Sequence, residues 1–333
     1  MDHFTLPEGG TRILVPNTTT EEYTTGDGGF LGYPGRQGWS QEDILGENTF
    51  GERSAEDVQA FFQTWLYFGC VIEVLKVPKV ECSTTDFLDP DKKYVSTTRL
   101  PSKIRKWKRK IQRMKDQKRE RRLEKYLKEV NAILTVLSKF VNYYCGTAGL
   151  PRLDTQLVKS KRMDWPVSEE VSMSIIALGY TLNQAMLTFH GIVRTKNRWG
   201  YSTLLKSRML DAGWCPMDVR RSLTDMGIDG HYYIAAFPNL QAKPNSAGKR
   251  LHDDCTEDRC VAQDIDEKTY VTQHAEHGCN CDNVLVDIHH VVKIIEEGGT
   301  PVVTWHEANK ELHVETFDEV KSSLTPYISI SHV

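Results

Sequence analysis

The sequence predicts an α+β protein, predominantly α-helical: a helical body with a long basic helix, then a Cys/His-rich loop region stapled by zinc, then a small β/α segment. Three observations predict it. Apolar residues recur at helical spacing over most of residues 54–230. Ser102 to Lys128 holds 14 Lys/Arg against 3 Asp/Glu, in a stretch free of Gly and Pro. Five of the eight cysteines fall between Cys215 and Cys281, four of them in a polar stretch, 238–283, with little periodicity. The whole chain, 333 residues at net charge -3 with 39% hydrophobic and 26% charged residues, has the apolar content of a packed globular protein.

Four segments follow in order. Residues 1–53 are rich in Thr, Gly and Pro, as in the run Gly26–Gly38, and read as a flexible leader. Their glycines do not form a dinucleotide fingerprint, because Leu31 stands where the third glycine belongs. The helical domain, 54–230, opens with Ser54 and Asp57 as a capping pattern ahead of Val58, Phe61, Phe62, Trp65, Leu66 and Phe68. Gln63, Thr64 and Glu73 interrupt this apolar run, which argues against a membrane-spanning helix.

Pro101 suits a helix start, and the next Gly or Pro is Gly146, so residues 102–145 are expected as one helix. Its basic first half carries a narrow apolar stripe of Ile104, Trp107, Ile111 and Met114 and is expected to project from the body. Its second half, with Val130, Leu134, Leu137 and Val141, faces the core. Further helices are expected from Ser168, over 200–213 up to Gly213, and from Pro216. Residues 231–316 form the Cys/His-rich region with a small β/α segment. There Val284–Ile288 reads as a strand, Val291–Ile295 as a short helix, and Pro301–Trp305 with Leu312–Thr316 as a hairpin. Residues 317–333 form a linker and a closing strand.

The chemistry concentrates in the Cys/His block. From His252 the spacing is H-x2-C (Cys255), x4-C (Cys260), x13-H (His274), x4-C (Cys279), x-C (Cys281), with Cys215 upstream in Trp214-Cys215-Pro216. Thiolate and imidazole are the ligands a tetrahedral zinc prefers, and short ligand pairs let local turns clamp one ion. A segment this poor in apolar residues needs such an ion to offset its ordering entropy. The expected ligands are Cys255, Cys260, His274, Cys279 and Cys281, with His252, Cys215 and His277 as further or alternative ones, serving one or two structural zinc ions. Cys70, Cys82 and Cys145 read as free thiols. His306-Glu307 fails the zinc-protease motif, since Lys310 stands where its second histidine belongs, and His289-His290 is assigned no role.

The terminal run Pro326-Tyr327-Ile328-Ser329-Ile330-Ser331-His332-Val333 resembles the opening strand of the fungal heterokaryon incompatibility domain, whose motif continues with a Trp. The upstream elements Gly213-Trp214-Cys215-Pro216, His252 to Cys260, Tyr270, His274, Cys279, Cys281 and Ile294–Gly299 resemble the region preceding that domain. Together they cover about a third of the chain. The resemblance implies a fungal, cytoplasmic protein of self/non-self recognition and programmed cell death. In that reading the chain is a piece of a longer protein, and its incompatibility domain, similar to Toll/interleukin-1 receptor domains, some of which cleave NAD, is truncated after its first strand. No catalytic residue carries over, so this part is expected to be a non-catalytic regulatory or recognition region. Its partners would be proteins, including its own effector domain. The alternative is a nucleic-acid-binding module using the basic segment Lys103–Lys128 and the zinc loop, although Trp107 is the only aromatic residue among the first 20 positions of that segment. The sequence leaves the oligomeric state open.

Overall fold

A computed structural model of the chain describes residues 1–45, 49–144, 167–192, 197–237, 252–261 and 285–321. It is predominantly helical, with a single two-stranded sheet among the described residues. The chain divides into two compact units, Met1–Ile265 and Asp266–Val333.

The first unit is built around two helical runs. Ser54 caps α3 (Ala55–Phe62), its Oγ accepting from the Asp57 N–H at 3.1 Å, and α3 continues through a π-helical turn, Gln63–Gly69, into α4 (Cys70–Lys76). This run is long and apolar enough to cross a membrane by composition, yet 94% of its most apolar window is buried inside the fold. It is a core element. The second run is a helix capped by Ser168 and spanning Glu169–His190, in which Val171 and Ile175 to Leu178 are fully buried. At Gly179 the ring of Trp199 lies so close that an added Cβ would sit 2.0 Å from Cζ3. Only a residue without a side chain admits that contact.

Residues 1–53 depart from the expected flexible leader. Met1, Ile13, Val15, Tyr23, Phe30, Tyr33 and Trp39 are buried in the same core, and the segment folds as a strap with two short helices, α1 (Gly29–Arg36) and α2 (Gln41–Leu45). Backbone bonds from Asn17 N to Lys93 O (2.8 Å) and Val95 N to Val15 O (2.9 Å) tie it down. From the π-turn, Gln63 accepts from Thr18 N–H (2.7 Å) and donates to Pro16 O (2.8 Å), so its side-chain amide behaves as a peptide of a neighbouring strand. Trp39 stacks on Phe61 at 3.8 Å, with the Arg53 guanidinium 4.2 Å from its ring centre. Gly and Thr suggested mobility, but the scattered aromatics between them supply the burial.

The long basic helix is two helices, α5 (Leu100–Asp116) and α6 (Glu120–Tyr144). Between them Lys118 adopts φ 52°, while Arg119 N–H bonds Met114 O (3.0 Å) and Lys118 N–H bonds Lys115 O (2.9 Å). That pair of bonds is a Schellman ending, here with lysine at the left-handed position where glycine is usual. The missing glycine is why the break left no mark in the sequence. Nor does the basic half project: Trp107, Ile111 and Met114 are buried, and the Trp107 ring meets Phe189 edge-on at 5.3 Å. The central helix Glu169–His190 is α7; after it come α8 (Thr203–Asp211), α9 (Pro216–Asp225) and α10 (Ile228–Ala235).

In the second unit, α11 (Ile288–Glu296) is capped by Asp287, whose Oδ1 accepts from His289 N–H at 3.0 Å. The expected strand at Val284–Ile288 is absent among the described residues 285–288, because that cap starts a helix at Ile288. The hairpin is present: β1 (Pro301–His306) pairs antiparallel with β2 (Glu311–Thr316) in the register Val303↔Val314, followed by α12 (Phe317–Lys321). Ile294 and Val314 are this unit's buried aliphatics among the described residues.

Candidate metal centre

The site begins with the way α8 ends. Gly213 takes φ 89°, Trp214 N–H bonds Met209 O (3.1 Å) and Gly213 N–H bonds Leu210 O (2.9 Å), again a Schellman ending but with glycine at the left-handed position. The chain turns at once into α9, with Cys215 as the N-cap and Pro216 at the first helical position, where a missing N–H leaves no hydrogen bond unmade. Trp214 anchors the turn against Phe237, edge to face at 6.1 Å. The Cys215 side chain is thereby buried at a helix N-terminus.

The second half of the site is residues 252–261, a segment with almost no apolar surface. Its backbone is held by short bonds: Cys255 N–H to His252 O (3.1 Å), Thr256 N–H to Arg259 O (2.8 Å), and Arg259 N–H to Thr256 Oγ1 (3.1 Å). Two ion pairs fasten it to the helices, Glu257 to Lys206 of α8 (2.6 Å) and Asp258 to Arg220 of α9. Lys206 holds the Glu257 carboxyl below its ordinary range, chiefly by hydrogen bonding.

Cys215, His252, Cys255 and Cys260 each turn one ligand atom to a common point, all four atoms lying within 4.8 Å of one another. Cys255 Sγ stands 3.8 Å from Cys260 Sγ, and His252 Nδ1 stands 3.4 Å from Cys255 Sγ and 3.6 Å from Cys260 Sγ. These separations match the edges of a coordination tetrahedron. Ligands about 2.3 Å (S) and 2.0–2.1 Å (N) from a tetrahedral ion lie about 3.8 Å (S to S) and about 3.6 Å (S to N) apart. A disulfide would need a sulfur separation of about 2.05 Å, and neither cysteine is in one. The cluster can hold a metal ion.

The electrostatics fit such an ion. Burial pushes the Cys215 thiol up to about 11; the N–H groups of Met217 and Asp218 pull it down and the neighbouring Cys260 and Cys255 push it up. A positive ion reverses the balance by favouring thiolate, so binding releases protons. Three sulfurs and one imidazole fill four tetrahedral positions, and no carboxylate belongs to the cluster.

Of the residues singled out in the sequence, Cys255 and Cys260 from the expected set come together with His252 and Cys215 from the additional one. His274, Cys279 and Cys281, like His277 and Cys145, lie outside the described residues. A domain boundary at residue 231 would separate Cys215 from its partners, whereas the first unit, Met1–Ile265, contains all four. Sequence reasoning missed the ion pairs from Lys206 and Arg220, which carry no local signature. Cys70 is buried and its thiol pushed up by burial; Cys82 is half-buried and pushed up, first by burial, to about 11. Both are free thiols, as expected. The His306 and His313 rings lie 4.2 Å apart, tilted, across the hairpin, and neither belongs to a metal cluster among the described residues.

No protein-family model, curated protein or solved structure matches this chain.

Proposed function

We propose that the cluster is a structural zinc centre and that the chain is a non-catalytic recognition or regulatory region. The observation that carries this reading is the set of 3.4, 3.6 and 3.8 Å separations among His252 Nδ1, Cys255 Sγ and Cys260 Sγ, with buried Cys215 as the fourth corner. Zinc suits a set of three thiolates and one imidazole in a tetrahedron; harder ions prefer oxygen. A complete set of four protein ligands leaves no position for substrate or an activated water, so the ion supports the fold and carries out no reaction. Its work is to hold residues 252–261 against the ends of α8 and α9.

The larger biological reading rests on the resemblance of Gly213–Pro216, the Cys/His block and residues 326–333 to the region preceding a fungal incompatibility domain. In that reading the helical body and its metal-held loop present or withhold the first strand of a death-inducing effector domain, in the cytoplasm. Two experiments test the two levels. Elemental analysis of the purified chain should give one zinc per chain, lost in Cys255→Ser and Cys260→Ser; metal-free wild-type protein with an ordered loop would refute the centre. Sequencing beyond Val333 should give a Trp followed by alternating strand and helix patterns, and any other continuation refutes the incompatibility reading while leaving the zinc centre standing.

A further inference from the structure

A second feature lies elsewhere in the first unit. The turn following α4 and one face of α5 enclose a groove of about 650 Å³ whose lining includes Lys79, Lys103, Lys106, Arg109, Lys110 and Arg113. On a helix, positions 103, 106, 110 and 113 recur at i, i+3, i+7 and i+10, so they share one face with 109 beside them, flanking the buried stripe of Trp107, Ile111 and Met114. Arg105, Lys108 and Lys115 fall on the opposite flank. The basic helix thus divides its charge between a walled groove and an open side.

The groove is prepared for a dense anion. Lys103 is nearly buried and fixed at the floor by Asp86 (2.7 Å) and Glu81 O (2.7 Å), and Arg99 also pairs with Asp86 (2.8 Å), so that carboxylate is already neutralised. Lys110 donates to Lys79 O, which holds its ammonium at the rim. Lys79 itself sits at φ 57° in the Schellman ending of α4, with Val80 N–H bonded to Leu75 O (2.8 Å). Lysine therefore occupies a position where glycine costs least, and it adds a cation to the groove wall. Among the described residues, Lys79, Lys106, Arg109 and Arg113 have no carboxylate partner. Arg109 and Arg113 stand one helical turn apart, and guanidinium groups grip phosphate oxygens in pairs.

We propose that this groove binds a compact, polyphosphorylated small molecule. Its volume falls in the range of small-ligand sites. No aromatic ring lines it, and Trp107 is buried, so neither base stacking nor a hydrophobic peptide anchor is on offer. Charge density alone selects the occupant, which favours several phosphates on a small frame over an extended nucleic acid chain.

The test is isothermal titration of the full chain with inositol hexakisphosphate as probe and a single-stranded oligonucleotide as competitor, at low and physiological salt. The probe should bind one to one at physiological salt. Arg109→Ala/Arg113→Ala should weaken it at least about tenfold, while Arg105→Ala/Lys108→Ala, which removes the same charge from the open flank, should change it by less than about threefold. All four residues are exposed, so these variants are expected to fold, which circular dichroism checks. Absence of binding at physiological salt, equal losses in the two double variants, or tighter binding of the oligonucleotide would each overturn the proposal.

Discussion

The helical body and the loop 252–261 reach order by opposite means. Around α3, α4 and α7 the chain buries Phe62, Trp65, Phe68, Ile175, Ile176 and Leu178 almost completely, and water exclusion stabilises it at roughly 25 cal/mol per Å² of apolar surface. The loop His252–Val261 carries four Asp/Glu and hardly any apolar surface, so area burial cannot offset the entropy of fixing its backbone. Four ligand atoms around one ion can. The contrast teaches that one unit can hold a region whose order is intrinsic beside a region whose order, if the cluster is filled, would be conditional on a solute.

The largest test of that contrast is metal removal. Structural zinc in small sites contributes about 10–16 kcal/mol, so a strong chelator should make residues 252–261 protease-sensitive while far-ultraviolet circular dichroism of the body stays nearly constant. Loss of the helical signal with the metal would erase the distinction. The converse test attacks the body. Gly179→Ala drives a Cβ into Trp199 and should destabilise the fold by about 1–3 kcal/mol in denaturant titrations, with zinc stoichiometry unchanged below the transition.

A third test uses pH. Burial lowers the His3 imidazole to about 4, and its Nε2 bonds the Thr181 hydroxyl at 3.0 Å. The unfolded chain takes up this proton near pH 6.5 and the folded chain only near 4. His3 thus contributes stability that is present above pH 6.5 and is lost as pH falls toward 4, worth up to about 3 kcal/mol. His3→Gln should flatten the body's stability profile across that window, measured against wild type in the same buffers. An unchanged slope would mean that the strap is looser than its burial indicates. The smallest expected effect is at Lys118: glycine there relieves a left-handed lysine and should stabilise α5 and α6 by up to about 1 kcal/mol in thermal melts, without altering the loop.

Much of this fold is legible in the sequence, for identifiable reasons. The Ser54 and Ser168 caps, the glycine stop at Gly213, the Pro216 start and the hairpin at 301–316 all follow local chemistry. The failures share a cause as well. The α5–α6 break is a Schellman turn on lysine, the strap is ordered by distant partners such as Gln63 and Tyr232, and the packed basic helix hides a narrow apolar stripe beneath many charges. None of these is encoded within a short window. The metal centre falls between the two cases: ligand types and short spacings pointed to Cys255 and Cys260 within an expected set that also held His274, Cys279 and Cys281, but giving His252 and Cys215 an equal place required the turn that brings a helix N-terminus to the loop.

That last junction has a topological consequence. Because one ligand precedes α9 and the other three follow α10, an ion at this point would close the intervening chain into a ring, as a covalent bridge would. Such a ring narrows the conformations open to the denatured polymer. Unlike a bridge between oxidised sulfurs, this clasp would tolerate reductants and yield instead to whatever competes for the ion.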